Sequence, residues 1–280
     1  MNPLVSLAIP VYNAAPYLDA CLDGVEAQSW RPLRVIAVDD GSTDGSTELL
    51  MASRDRMEAA GIDYHVLSRP HAGLAAAICE ALPLVGDGFF TWCDVDDVLA
   101  PGNIGCKASY LMAHPELGLV RNDGLRVSDG LKSRLSREPD RETRDIFDDL
   151  FREVTYCCAG CYMVRTNLFF KCYPDRRIPL SPEGQNLQLL LPPASRSLCG
   201  FIPKDLFHYH QRPDGHFSRP RSLTEQLRRV EDFARLRAEI LDYCDCDRAL
   251  YLRINEEMLL RRRHGFLVSA AARARKELGR

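Results

Sequence analysis

Over the first 120 residues, short apolar runs alternate with segments of helical period. "LVSLAIP" (4–10) is a continuous apolar run and predicts a strand. "APYLDACLDGVEAQ" carries Leu18, Leu22 and Val25 at helical spacing. "LRVIAVDDGS" is apolar until it ends in acids, which suits a strand buried on both faces of a parallel sheet. "STDGSTELLMASRDRMEAAG" reads as a helix, with caps at Ser42 and Thr43 and a stop at Gly61. "IDYHVLS" predicts a third strand, "GLAAAICEALPLV" a helix and "GFFTWCD" a fourth strand. Alternation at this spacing predicts an α/β protein with a doubly wound, mostly parallel sheet and right-handed crossovers.

The second half is less regular. From about residue 121 to 150 the chain is charged and irregular, as in "RVSDGLKSRLSREPDRETRDIFDD", and a mobile surface segment or lid is expected. Apolar runs return over 151–211, where "YCCAGCYMVRTNLFF" and "GFIPKDLFHYH" predict strands. From Ser222 two helical patterns follow. Leu223, Leu227, Val230 and Ala234 make a stripe that Phe233, Leu236 and Ile240 widen. The basic final stretch, "LLRRRHGFLVSAAARARKELGR", suits a helix packed on the domain or on a second copy, or one lying on anionic lipid. No internal repeat or low-complexity segment occurs.

Composition narrows the class. A chain of 280 residues, 46% hydrophobic, holds one large α/β domain with an extension. A net charge of −3 argues against nucleic acid as the main partner, because phosphate binding needs a basic surface. No run of eighteen apolar residues suggests a membrane span. "MNPLVSLAIPVYN" lacks the charged start and long apolar stretch of a signal peptide. The eleven cysteines sit mostly inside apolar runs, as buried hydrophobes do, and imply a reducing compartment, the cytosol. "CCAGC" and "CDC" lack the paired spacing of a zinc site.

One stretch stands apart from this pattern. "TWCDVDDVLAPG" (91–102) runs from β-formers into Asp94, Asp96 and Asp97. An acidic loop is often merely solvated, but carboxylate oxygens also suit Mg²⁺ or Mn²⁺. Ligands of doubly wound sheets bind outside the carboxyl ends of the strands. Pro10, Val11 and Tyr12 end the first strand, Asp39 and Asp40 the second and Asp94 the fourth, so special residues converge on one edge. That convergence favours the metal.

"SLAIPVYNAAPYLDACLDGVEAQSW", "VIAVDDGSTDGS", "HAGLAAAICEAL" and "CDVDDVLAP" together resemble the family 2 glycosyltransferases of the GT-A fold. The resemblance is close over residues 4–120 and looser over 150–218. It implies a GT-A domain at 1–220, with a nucleotide-binding half at 1–120 and an acceptor half at 121–220, then a helical extension at 221–280. It also implies a metal-dependent inverting transferase that moves a sugar from a nucleotide sugar, here a UDP-sugar, to a glycan or lipid-linked acceptor in cell-surface polysaccharide synthesis. Pro10, Val11, Tyr12 and Asp39, with Asp40 and Ser42 beside them, would hold the uracil. Gly73 and Val95 complete the donor-binding set. Asp94 would meet the ribose or sugar and share in metal binding, while Asp96 binds Mn²⁺ or Mg²⁺ across the diphosphate. Asp97 is either a helper or a helix cap. For Asp39 the plainer alternative is an acid stabilised by a helix N-terminus.

The pattern departs at the base. Where many relatives carry an acidic pair, this chain has "SPEGQNLQLLLP", with Gly184 and Gln185 in the acidic places. Gln cannot take a proton. Glu183 is the nearest carboxylate and the first candidate for the catalytic base; Asp205 is a weaker one. Gln185 and Asn186 would orient the acceptor, and Glu183 could equally be an exposed turn residue. In "RPDGHFSR", His216 is the candidate late metal ligand, flanked by Arg212 and Arg219. A nucleotidyltransferase or a Rossmann dehydrogenase would need a Gly-rich loop after the first strand, and "PVYNAAPYL" has none. The remaining alternative is a catalytically silent relative that only binds nucleotide sugar. A cytoplasmic protein is expected, in contact with the inner face of the membrane or with a second copy through its last helices.

Overall fold

The computed structural model describes residues 1–128, 131–211 and 220–278. The apolar run at the N-terminus forms β1 (Leu4–Val11), buried from Val5 onward. Both of its neighbours, β2 (Leu33–Asp39) and β4 (Gly88–Trp92), run parallel to it, and β3 (Ile62–Ser68) runs parallel to β2. Val11 lies opposite Asp39 and Asp39 opposite Ser68, so three carboxyl ends finish level. The crossovers are α1 (Ala15–Glu26), α2 (Ser46–Ala52) with α3 (Arg54–Ala59), and α4 (Leu74–Ala81). Leu18, Leu22 and Val25 are the buried face of α1, as their spacing predicts.

The helix expected after β2 starts later than its sequence suggests, and it is broken. Ser42 and Thr43 do not cap it. Their atoms hold Asn13 instead: the Asn13 N–H donates to Ser42 Oγ at 2.9 Å, and the Thr43 N–H donates to Asn13 Oδ1 at 2.9 Å. The chain then turns through Gly45 at φ 91° to enter α2. Asp44 accepts from the Ser46 N–H at 3.1 Å and its hydroxyl at 2.6 Å.

Beyond β4 come β5 (Val98–Leu99), α5 (Asn103–Ala113), β6 (Leu119–Ser128) and β7 (Leu131–Arg134). Then follow α6 (Glu138–Glu142), α7 (Phe147–Phe151), β8 (Tyr162–Arg165), α8 (Thr166–Cys172), α9 (Gln185–Ala194) and β9 (Cys199–His210). The sheet order is β3-β2-β1-β4-β8-β6-β9-β5, with β7 on β6. β8 is antiparallel to both β4 and β6, so the mostly parallel half passes into a mixed one.

The charged stretch 121–150 is not a surface lid. Arg121, Asn122 and Asp123 are fully buried in β6. Their polarity is tolerated because it is met. Arg121 donates to Thr155 Oγ1 at 2.8 Å and to the Asp140 carbonyl. Asp123 accepts from the Ser136 hydroxyl at 2.6 Å and from Arg134 at 3.2 Å. The charge marks a buried network.

α10 (Leu223–Ile240) and α11 (Arg248–Leu278) follow. Ser222 caps α10, with Glu225 reciprocating. Val230, Ala234, Leu236 and Ile240 face inward. Arg237, also fully buried, reaches Asn255 Oδ1 at 2.7 Å and the Glu153 carboxylate. No helix among the described residues is long and apolar enough to cross a membrane. All eleven cysteines are free thiols.

Candidate active site

The level strand ends build the first wall. Tyr12, just past β1, is half exposed and stacks on His71 with ring centroids 4.0 Å apart. His71 is held from behind, its Nδ1 lying 2.8 Å from an Asp40 carboxylate oxygen. Asp40 also takes Arg69 at 2.9 Å and the backbone N–H groups of Ala72 at 3.1 Å and Gly73 at 2.7 Å. Asp40 is therefore the clasp between the end of β2 and the 69–73 loop, and it keeps the Tyr12–His71 pair in place. Gly73 contributes through its N–H and its φ of 93°. Asp39, beside it and also buried, accepts from the Ser42 N–H at 3.2 Å and from the Thr47 hydroxyl at 2.8 Å. Those two donors shape the turn toward α2 and leave lone pairs of Asp39 for a further donor.

The acidic turn forms the second wall. Burial first, and the neighbouring Asp96 second, push the Asp94 carboxyl up to about 7. Asp97 is also raised, by burial and then by Asp94 and Asp96. Asp97 is no helix cap: α5 begins six residues later behind Gly102, whereas Asp97 accepts the His210 N–H at 3.0 Å and so fastens the end of β9 to the turn. Val95, within the turn, packs partly buried against the core.

Among the described residues, no three His, Cys, Asp or Glu side chains form a ready cation cage. The donor set nevertheless fits a hard divalent ion. Asp94 and Asp96 are oxygen donors whose mutual repulsion a cation would relieve, and Asp97 is already engaged. His216, Arg212 and Arg219 lie outside the described residues.

Glu183, Gln185 and Asn186 meet this edge at the start of α9, after Gly184 at φ 75°. The Trp92 indole N–H donates to Asn186 Oδ1 at 2.7 Å, linking the end of β4 to α9. That bond fixes the amide flip, so Asn186 presents its NH₂ elsewhere. Gln185 bonds back to the Ser181 carbonyl at 3.3 Å. Glu183 is not an exposed turn residue, for it is largely buried and lies 3.0 Å from Arg229 Nε of α10. Asp205 sits 3.5 Å from Arg134 and belongs to the β6–β7 network.

Arg69, His71, Trp92, Lys107 and Arg229 carry parts of the site that the sequence motifs do not mark. For Arg69 and His71 a signal existed, namely a cationic pair after a strand whose neighbour ends in two acids. Lys107 lies beneath the turn, fully buried, with Nζ 2.6 Å from the Gly160 carbonyl. Gly160 in turn donates its N–H to the Trp92 carbonyl at 2.6 Å.

The architecture is that of the GT-A glycosyltransferases, with strand ends and an acidic turn facing one cleft. The chain belongs to glycosyl transferase family 2, whose signature matches residues 6–171. An uncharacterised glycosyltransferase of Rickettsia prowazekii is 32% identical over 173 residues, 61% of this chain and 52% of that protein. The chondroitin synthase of Pasteurella multocida is 32% identical over 110 residues, 39% of this chain and 11% of that one. This chain thus matches about half the length of the first relative and a small part of the second. Among solved structures, a fragment of Staphylococcus aureus TarS in complex with UDP-GlcNAc superposes with a TM-score of 0.68 at 17% identity, covering 92% of this chain and 72% of that one. A Pyrobaculum calidifontis mannosyltransferase in complex with GDP-Man and Mn²⁺ gives 0.60 at 17%, covering 97% and 76%.

Proposed function

We propose that the protein is a metal-dependent inverting glycosyltransferase, taking a sugar from a UDP-sugar to a glycan or lipid-linked acceptor in cell-surface polysaccharide synthesis. The observation that carries this reading is the facing of two walls: an aromatic pair beside a buried carboxylate on one side, and a crowded acidic turn on the other. Tyr12 offers its face to a planar base while Asp39 accepts from an imide N–H, a pairing suited to uracil. Asp94 and Asp96 would hold Mn²⁺ or Mg²⁺, which when bound neutralises charge on the departing diphosphate. Asp97 and His210 keep the turn closed on its strand. Asn186, oriented by Trp92, would position the acceptor hydroxyl, and Glu183 would take its proton as the acceptor attacks. The resemblance to TarS, seen with UDP-GlcNAc, and to a chondroitin synthase supports the donor class and the polymeric setting.

A silent nucleotide-sugar binder is the second reading, and the Glu183–Arg229 pair favours it, because a carboxylate held by a guanidinium is a poor proton acceptor. Calorimetric titration of UDP with and without Mn²⁺, followed by a screen of UDP-sugars for UDP release, separates the readings. Binding strengthened by Mn²⁺ together with release from one donor supports the transferase. Binding without release from any donor supports the silent protein. Absence of UDP binding refutes both.

A further inference from the structure

A cavity of about 570 Å³ opens between α10 and α11, within the size range of small-molecule sites. Three guanidinium groups line it, those of Arg221, Arg229 and Arg262, with the rings of Phe233 and Phe266; Glu153 is the one acid among its described lining residues. Glu153 is already shared, at 2.8 Å from Arg262 and in contact with buried Arg237. Positive charge therefore exceeds negative along this wall. Arg262 and Phe266 stand one turn apart on α11, and the exposed Leu267 and Val268 follow them. A surface that combines clustered guanidiniums with aromatic rings is suited to a ligand with a multiply charged anionic head and an apolar body.

Arg229 makes this cavity more than a neighbour of the active site. The same guanidinium that lines it holds Glu183 at 3.0 Å, in front of the Phe233 ring with 5.5 Å between Arg229 Cζ and the ring centre. α10 sits hard against the turn that carries Glu183, since a Cβ placed on Gly184 would come within 2.6 Å of Leu236. An anion entering the cavity competes with Glu183 for Arg229. A phosphate offers more acceptor oxygens than one carboxylate, so the guanidinium exchanges partners and the carboxylate is released.

We propose that this cavity binds an alkyl phosphate, and that its binding draws Arg229 off Glu183. The part of the inference that concerns catalysis rests on Glu183 being the base. It explains how a base can be kept shielded until an acceptor bearing such a group arrives.

The test is calorimetry with octyl phosphate, inorganic phosphate and octanol on the full chain. Octyl phosphate is expected to bind one to one, at least about tenfold more tightly than either half alone. Arg221→Gln and Phe266→Ala, which touch different ends of the cavity, should each weaken it about tenfold. UDP binding in the same samples reports folding. In parallel, carbodiimide labelling of Glu183, read by mass spectrometry, should speed up several-fold when octyl phosphate saturates the protein. In Arg229→Gln it should be fast with or without octyl phosphate. Octyl phosphate binding no better than phosphate, or variants binding as wild type, overturns the site. Labelling that is unchanged or slowed overturns the exchange. UDP binding without octyl phosphate binding refutes this inference alone, and the reverse refutes the proposed function alone.

Discussion

Lys107 offers the sharpest test of the buried scaffold beneath the acidic turn. Its ammonium has no access to water, and burial pulls it down from its ordinary 10.5 to about 7. The difference of about 3.5, at about 1.36 kcal/mol for each pKa unit, is a cost of about 5 kcal/mol for keeping the charge in the folded chain. Below pH 7 both folded and unfolded states hold the proton and the full cost applies. Above pH 7 the folded state releases it while the unfolded chain keeps it up to about 10.5, so stability rises with pH through that window. In Lys107→Met this slope is absent. The variant loses the bond to the Gly160 carbonyl, for about 1–3 kcal/mol, although Asn103 Nδ2 still reaches that oxygen at 3.2 Å. The expected result is a variant more stable than wild type by about 2–4 kcal/mol at pH 6, with the advantage gone near pH 9. Urea unfolding at pH 6, 7, 8 and 9, under reductant for the eleven thiols, measures it. Taking the difference between the two proteins cancels the buried Cys and Tyr groups, which titrate in both. Parallel stability curves for the two proteins would refute the reasoning.

Asp96→Ala should abolish Mn²⁺-dependent transfer while leaving the unfolding midpoint unchanged, and a variant that unfolds or transfers normally contradicts the metal role. Asp39→Ala should weaken UDP binding by roughly ten- to a hundred-fold, the worth of a hydrogen bond to a charged acceptor, and calorimetry reads it directly. Glu183→Gln should lower turnover by about 10²–10⁴-fold at saturating donor with UDP affinity intact, and wild-type turnover there removes the base assignment. Trp92→Phe frees the Asn186 amide, so acceptor KM should rise several-fold while UDP affinity stays constant; a change in UDP affinity instead would show that the indole serves the donor side.

The first half of the fold was legible because parallel strands buried on both faces write themselves as unbroken apolar runs, as in β1 and β2. Their carboxyl ends could then be aligned from topology alone, which brought Tyr12, Asp39 and Asp94 together before any coordinate was known. The stretch 121–150 was misread because charge normally means solvent, and nothing local reveals that Arg121 meets the Asp140 carbonyl or that Asp123 meets Ser136. Ser42 and Thr43 have the chemistry of caps, but their partner is Asn13, some thirty residues back. Glu183 was nominated from its position; its pairing with Arg229 joins two segments 46 residues apart and leaves no periodic trace.

The bond from the His210 N–H to Asp97 spans 113 residues of chain, and that span bears on how the molecule is made. Strands β1 to β4 are neighbours in the sheet and lie within the first 92 residues, so that layer can assemble while the chain is still emerging from the ribosome. The acidic turn, though synthesised immediately afterwards, gains its fastening only once β9 has been delivered and has found β6. During that interval a nascent chain holds a finished nucleotide wall opposite an unfastened acidic turn. The two walls of the cleft are born at different times, and the maturation of the acidic one is set by the slower, long-range closure of the sheet.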